Sequence, residues 1–155
     1  MKAIIAMSSN RCIGRDGKLP FYYKEDLKWF KEFTLYNTIL IGRTTYEGLP
    51  PLKDRKLMVL STKLFVHPSN ILIVNNVKTA LAYVEGIKFN HNRDVIVAGG
   101  KSIYELFMPY ITEFYVTHID KEYEGDTYMS LFEDKFSKKE IVKEFDFGRV
   151  IKYTK

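Results

Sequence analysis

The chain has 155 residues, 46% of them hydrophobic and with 11 Tyr and 11 Phe, enough apolar material for one domain with a proper core; this excludes a disordered chain. No run of about 18 apolar residues is present to span a membrane, and the apolar stretch of MKAIIAMSSN is too short for a signal peptide. The single cysteine, Cys12, excludes internal disulfides and cysteine-based zinc sites and fits a reducing cytoplasm. The net charge of +5 suits an anionic ligand, but the charges are spread along the chain, so neither nucleic acid nor membrane is expected as a partner.

Taken in order, residues 2 to 7 (KAIIAM) read as a short apolar strand, followed by SSNRCIGRDGKLP, a polar loop with an Asp16-Gly17 turn signal. A loop of this length between strand and helix is either a plain surface connection or a functional segment. A helix then begins at about Lys24. At 100° per residue, Leu27, Trp29, Phe30 and Phe33 share one arc and Lys24, Glu25, Lys28, Lys31 and Glu32 the opposite one. Asp26 sits inside the apolar arc. It is either an ordinary first-turn acid favoured by the helix dipole or a carboxylate aimed at the interior, where burial is expensive without a partner.

Residues 37 to 42 (NTILIG) read as a buried strand. Thr44 and Glu47 have capping-box spacing, which places a helix start at Thr44 with Arg43 beside its free N–H groups, a natural anion site. Residues 57 to 62 (LMVLST) follow as a strand after the basic turn 53 to 56, in which Arg55 could fork a carboxylate. Ser61, Thr62 and Lys63 at its end could hold a phosphate. Residues 71 to 76 form another strand, 77 to 87 an amphipathic helix, and FNHNR a loop. DVIVAGG (94 to 100) is a buried strand whose paired glycines, Gly99 and Gly100, let a ligand approach the backbone before a helix over 101 to 108. EFYVTHID (113 to 120) is a strand, EGDT a turn, and KEIVKEFD with RVIKYTK a closing antiparallel pair.

Strands alternating with short helices, most strands apolar throughout, predict an α/β domain spanning residues 1–155: a three-layer α-β-α arrangement with a mostly parallel central sheet and an antiparallel C-terminal strand pair. In such sheets ligands gather at the strands' carboxyl ends. There the loop after Met7, Arg43-Thr44, Ser61-Thr62, Gly99-Gly100 and Thr117 can converge, with Asp26 beside them.

These residues carry a family resemblance. Ala6, then Ile13-Gly14, Leu19-Pro20, Asp26-Leu27 and Phe30, with Ile41 to Glu47, Leu52 to Lys56, Ala98-Gly99-Gly100 and Thr117-His118-Ile119, resemble dihydrofolate reductase in order and spacing from Met1 to about Thr127. The resemblance implies reduction of 7,8-dihydrofolate to tetrahydrofolate with NADPH as cofactor, binding of antifolates, and a monomer of the cytoplasm. It implies that Asp26 meets the pterin's 2-amino and N3 edge, supported by Thr117, while Ile4 and Ala98 offer backbone carbonyls and Tyr104 lies with them. Leu27, Phe30, Leu49 and Leu52 would pack the benzoyl group and Arg55 fork the glutamate carboxylate. Ala6, Ile13 and Leu19 would flank the nicotinamide. Gly14, Gly42, Thr44, Thr45 and Ser61 would line the cofactor's path, Gly99 and Gly100 would share a cis peptide, and Lys101, Ser102 and Ile103 would lie under the pyrophosphate. Arg43, Thr62 and Lys63 would take the 2′-phosphate, and Asp126 would hold the Gly14 loop. One departure stands out: the family usually has Trp after the proline, and this chain has Phe21, which keeps the apolar wall of the catalytic site but has no indole N–H. Two other functions fit such a fold: an NADPH reductase of a pyrimidine precursor in riboflavin synthesis, and a non-catalytic binding domain. Asp26 with Phe30 and Arg55 favours folate over the first, and Asp26, Thr117 and Arg43 together argue against the second.

Overall fold

The computed structural model describes residues 1–63, 65 and 67–155. Its centre is an eight-stranded sheet built from β1 (Lys2–Met7), β3 (Thr38–Gly42), β4 (Lys56–Leu60), β5 (Ile71–Val74), β6 (Val95–Val97), β7 (Glu113–Ile119), β9 (Lys138–Phe145) and β10 (Gly148–Thr154), in the order β5-β4-β3-β6-β1-β7-β10-β9. Every pairing from β5 to β7 is parallel; β10 runs antiparallel to both β7 and β9. The inner strands are apolar on both faces because both are covered. Ile39, Ile41 and Val59 are fully buried on one face with Phe30, Leu49 and Leu52 packed onto them, and Leu40, Met58 and Val97 are fully buried on the other with Ile103 and Phe107. Phe114, Phe132, Phe136 and Tyr153 close that second core toward the antiparallel end.

Among the described residues four α-helices connect the strands: α1 (Lys24–Thr34), α2 (Arg43–Gly48), α3 (Val77–His91) and α4 (Lys101–Phe107). The helix expected from Lys24 is present. Two expectations change. The capping box does not form: α2 starts at Arg43 with no side-chain cap at Gly42, and Glu47 instead pairs with Arg43 at 2.7 Å. The residues read as a loop, FNHNR, continue α3 as far as His91; the helix stops at Asn92, whose left-handed backbone (φ 49°) ends it.

The loop after β1 is more than a surface connection. It contains a short strand, β2 (Cys12–Gly14), paired with β8 (Thr127–Tyr128). Beyond β2 the chain turns tightly at Asp16 (φ 52°) and Gly17 (φ 77°), with Arg15 bridging to Lys18. The Asp126 carboxylate accepts from the Asp16 backbone N–H at 2.8 Å, and the Asp126 N–H donates to the Gly14 carbonyl at 3.0 Å. The Asp16 N–H and, after it, the Thr127 hydroxyl hold the carboxyl of Asp126 below its ordinary range. Arg11 anchors the loop's base, donating to the carbonyls of Met129 and Ser130 and pairing with Glu133 at 2.7 Å.

Candidate active site

Six parallel strands deliver their carboxyl ends to the same edge of the sheet. After β1 the chain works outward through β3, β4 and β5, then returns to insert β6 between β3 and β1 before crossing to β7. That reversal is where an open α/β sheet leaves a crevice. A cleft of about 1410 Å³ opens there, walled by β1, the loop carrying Ile13 to Tyr22, α1, both ends of α2, the end of β4 and the start of α4. The tip of the loop reaches across it. The Gly17 carbonyl lies where a Cβ on residue 48 would come within 2.6 Å of it, so only glycine at position 48 admits the approach.

At the cleft's floor stands Asp26. It is 7% exposed, while its neighbour Leu27 is 40% exposed, so the carboxylate is deeper than the apolar residue beside it. Its side chain makes no N-terminal cap on α1. Instead the Thr117 hydroxyl, on β7 and itself buried, donates to Asp26 Oδ1 at 2.7 Å. Burial pushes the carboxyl above the ordinary aspartate range, and the hydrogen bond from Thr117 pulls the other way. The first-turn acid reading therefore gives way: the carboxylate is spent on the cleft rather than on the helix end.

Around it, Ile4, Ala6, Leu27, Phe30, Leu49, Ala98 and Tyr104 line the same cleft. Tyr104, fully buried, donates its hydroxyl to the Ile4 carbonyl at 2.6 Å, which pins β1 against α4. Burial drives this phenol's pKa far upward, so it stays a donor. Phe21 is buried against Ala6, Ile119 and the ring of Tyr123 and forms part of the wall.

The other end is polar. Gly42, Arg43, Thr44 and Thr45 open α2; Ser61, Thr62 and Lys63 follow β4; and Lys101, Ser102 and Ile103 open α4 after Gly99-Gly100, which are joined by a cis peptide. Neither α2 nor α4 has a side-chain cap at its start. Two uncapped helix starts, three cations and several hydroxyls facing one cleft form a donor set suited to phosphate groups. Ile13, Gly14 and Leu19 line the span between the two ends.

Two expected residues are not in the wall. Leu52 packs in the cluster of Ile39, Phe30 and Leu49 behind it. Arg55, half-buried, donates its Nε to the Lys53 carbonyl at 3.0 Å. Among lining residues that the sequence left unassigned are Tyr22 and Trp29. Periodicity placed Trp29 on the apolar arc as core; nothing in the pattern shows that the arc borders a cleft.

Comparison with known proteins bears on this arrangement directly. The dihydrofolate reductase family profile matches residues 1–147. The chain belongs to the dihydrofolate reductase family. Among its relatives, a dihydrofolate reductase of Buchnera aphidicola subsp. Schizaphis graminum is 38% identical over 127 residues, covering 81% of this chain and 75% of the relative. One from Mycoplasma genitalium is 31% identical over 158 residues, covering 99% and 96%. A solved dihydrofolate reductase from Enterococcus faecalis, complexed with NADP(H) and RAB-propyl, superimposes with a TM-score of 0.80 at 28% identity, covering 97% of this chain and 92% of its own. Family membership removes the riboflavin-pathway alternative.

Proposed function

We propose that this dihydrofolate reductase reduces 7,8-dihydrofolate to 5,6,7,8-tetrahydrofolate with Asp26 as its substrate-binding carboxylate. The observation that carries the reading is the buried Asp26–Thr117 pair on the floor of a cleft whose far end is built for phosphates. Asp26 accepts from the 2-amino and N3 edge of the pterin, and Thr117 fixes the rotamer in which it does so. The carbonyls of Ile4 and Ala98 take donors on the ring, Leu27, Phe30 and Leu49 hold the benzoyl group, with Leu52 supporting them from behind, and Arg55 meets the glutamate carboxylate. The uncapped starts of α2 and α4 fit the phosphates of NADPH: Lys101, Ser102 and Ile103 under the pyrophosphate and Arg43, Thr62 and Lys63 at the 2′-phosphate. Ala6, Ile13 and Leu19 hold the nicotinamide against the substrate. When bound, NADPH supplies the hydride. The protein supplies orientation, a water-poor floor and an anion that favours a proton on the pterin's N5. Phe21 closes the wall without adding a donor.

The chain works as one domain and as a monomer. Five of the eight residues of the free edge strand β9 are charged, and the β9–β10 ladder shifts register between Val150 and Ile151; both features discourage pairing with a second copy. No described helix is long and apolar enough to cross a membrane. The lone buried Cys12 fits a cytoplasmic setting. The test is loss of NADPH absorbance on adding dihydrofolate, with an antifolate such as methotrexate raising the melting temperature. No turnover with dihydrofolate, under conditions where NADPH binds, overturns the reading.

A further inference from the structure

The indole N–H of Trp29 is buried, and no hydrogen-bond acceptor for it exists among the described residues. Buried polar groups are rarely left so without a reason. Trp29 is the chain's single tryptophan, and it borders the cleft. On α1 it lies three residues after Asp26, hence on the same side of the helix. The strand below repeats the spacing: Thr117 and Tyr115 alternate onto one face of β7. Asp26 bonds Thr117, and the Trp29 ring packs on Tyr115 with centroids 6.4 Å apart, so the two side chains form neighbouring rungs of one helix–strand contact. Phe33 packs on both rings, with centroids 5.5 Å from the indole and 4.5 Å from Tyr115. The bond from Thr117 uses Oδ1 of Asp26 and leaves Oδ2 for another donor.

We propose that Trp29 is a positioning residue for the reaction: its indole N–H, through one ordered water, reaches the second oxygen of Asp26 and fixes the water through which the substrate end of the cleft exchanges protons. A water so placed has the two or more polar partners that a buried water requires. The inference rests on the assignment of Asp26 to the substrate. The charged groups facing this pair from the neighbouring strands are Lys143 of β9, 5.8 Å from the indole ring, and Lys152 of β10, which lies over Tyr115 and is paired with Glu113 at 3.0 Å. Lys152, its ammonium held by the Glu113 carboxylate, keeps its charge between pH 4 and 8. Tyr115, hydrogen-bonded to Glu113, stays neutral there too.

A single tryptophan gives a single indole resonance in a proton–nitrogen correlation spectrum of the substrate-free protein. That resonance is expected to shift with pH in one step as Asp26 ionises, to show transfer of magnetisation from water, and to lose the pH step in Asp26→Asn. Trp29→Phe keeps an aromatic ring and removes the donor. It should slow single-turnover hydride transfer roughly tenfold at pH 7 and less at pH 5, with NADPH affinity unchanged. An indole resonance that does not move from pH 4 to 8, or that moves equally in Asp26→Asn, overturns the proposal. So does a Trp29→Phe enzyme whose pH profile matches the parent's in shape. Because the spectrum needs no substrate, failure of the parent to reduce dihydrofolate would sink the activity reading and leave the indole coupling to be judged separately.

Discussion

The two ends of the cleft solve opposite electrostatic problems. At the Asp26 end one carboxylate is buried, with one hydrogen bond among the described residues, from Thr117, to offset its lost hydration. At the phosphate end the charges lie near solvent, and two of the three cations have acidic neighbours: Arg43 pairs with Glu47 at 2.7 Å and Lys101 sits 4.0 Å from Glu105, both one helical turn apart. A desolvated carboxylate is a permanent strain on the folded state, whereas an exposed pair one turn apart is worth only about 0.3–0.5 kcal/mol and yields easily to a ligand. The floor is thus fixed at folding and the far end is rearranged at binding. Removing a charge from each end should therefore have different consequences for rate, affinity and stability.

The largest effect belongs to the floor. Asp26→Asn keeps the size and removes the anion, and single-turnover hydride transfer at pH 7 should fall by at least about 10²-fold. Activity should partly return in acid, where solvent protonates N5 directly. In the parent the step should be fast at low pH and fall above one apparent pKa, which belongs to the Asp26–pterin–water system as a whole. Near-parent rates at pH 7 would show that Asp26 is not in the proton path. Next comes Arg43→Ala. Loss of a charge-assisted contact worth about 1.5–3 kcal/mol should weaken NADPH roughly 10- to 150-fold and leave NADH nearly untouched. Equal losses for both cofactors would remove Arg43 from the 2′-phosphate.

Arg55→Lys should act more gently, weakening dihydrofolate severalfold while sparing a pteridine without the glutamate tail, because a point charge cannot reproduce the planar fork. Its Nε is already committed to the Lys53 carbonyl, so any fork must come from the terminal nitrogens. If both ligands weaken alike, the role is structural. The smallest effect is Glu47→Gln, which frees Arg43 and should tighten NADPH about twofold, the scale of one exposed helical pair. A weaker NADPH complex in Glu47→Gln would mean that the pair orients Arg43 rather than competing for it.

Much of this was legible in the sequence, and the gaps have physical causes. The central strands announced themselves as unbroken apolar runs because both faces of the sheet are covered, and the Asp16-Gly17 turn showed as two residues that tolerate positive φ. Asp26 was visible as a misplaced charge, but α1 alone could not distinguish a first-turn acid from a buried one; that took Thr117, 91 residues later. Glu47 looked like a capping residue because local spacing cannot report that Arg43 would be inside the helix to claim it. The length of α3 was missed because Asn90 and His91 are weak helix formers, and Phe89, 89% exposed, gives no periodic signal. The β2–β8 pair is three residues against two and has no apolar run to betray it. Strand order, and with it the place of β6 between β3 and β1, depends on contacts that no local pattern encodes.

If Asp26 serves the cleft at the expense of the fold, the unfolding stabilities of the parent and Asp26→Asn must differ in a way that depends on pH between 4 and 8. A carboxyl whose folded pKa is raised stabilises the native state while protonated and loses that contribution as pH rises through the folded value. Asp26→Asn should therefore melt higher than the parent at pH 7, by roughly 2–4 °C if the ionised carboxylate costs about 1 kcal/mol in a chain of this size. The gap should close as pH falls toward about 3.9, the ordinary aspartate value. A variant that melts lower than the parent across the whole range, with no dependence on pH, would contradict the account and return Asp26 to a structural role.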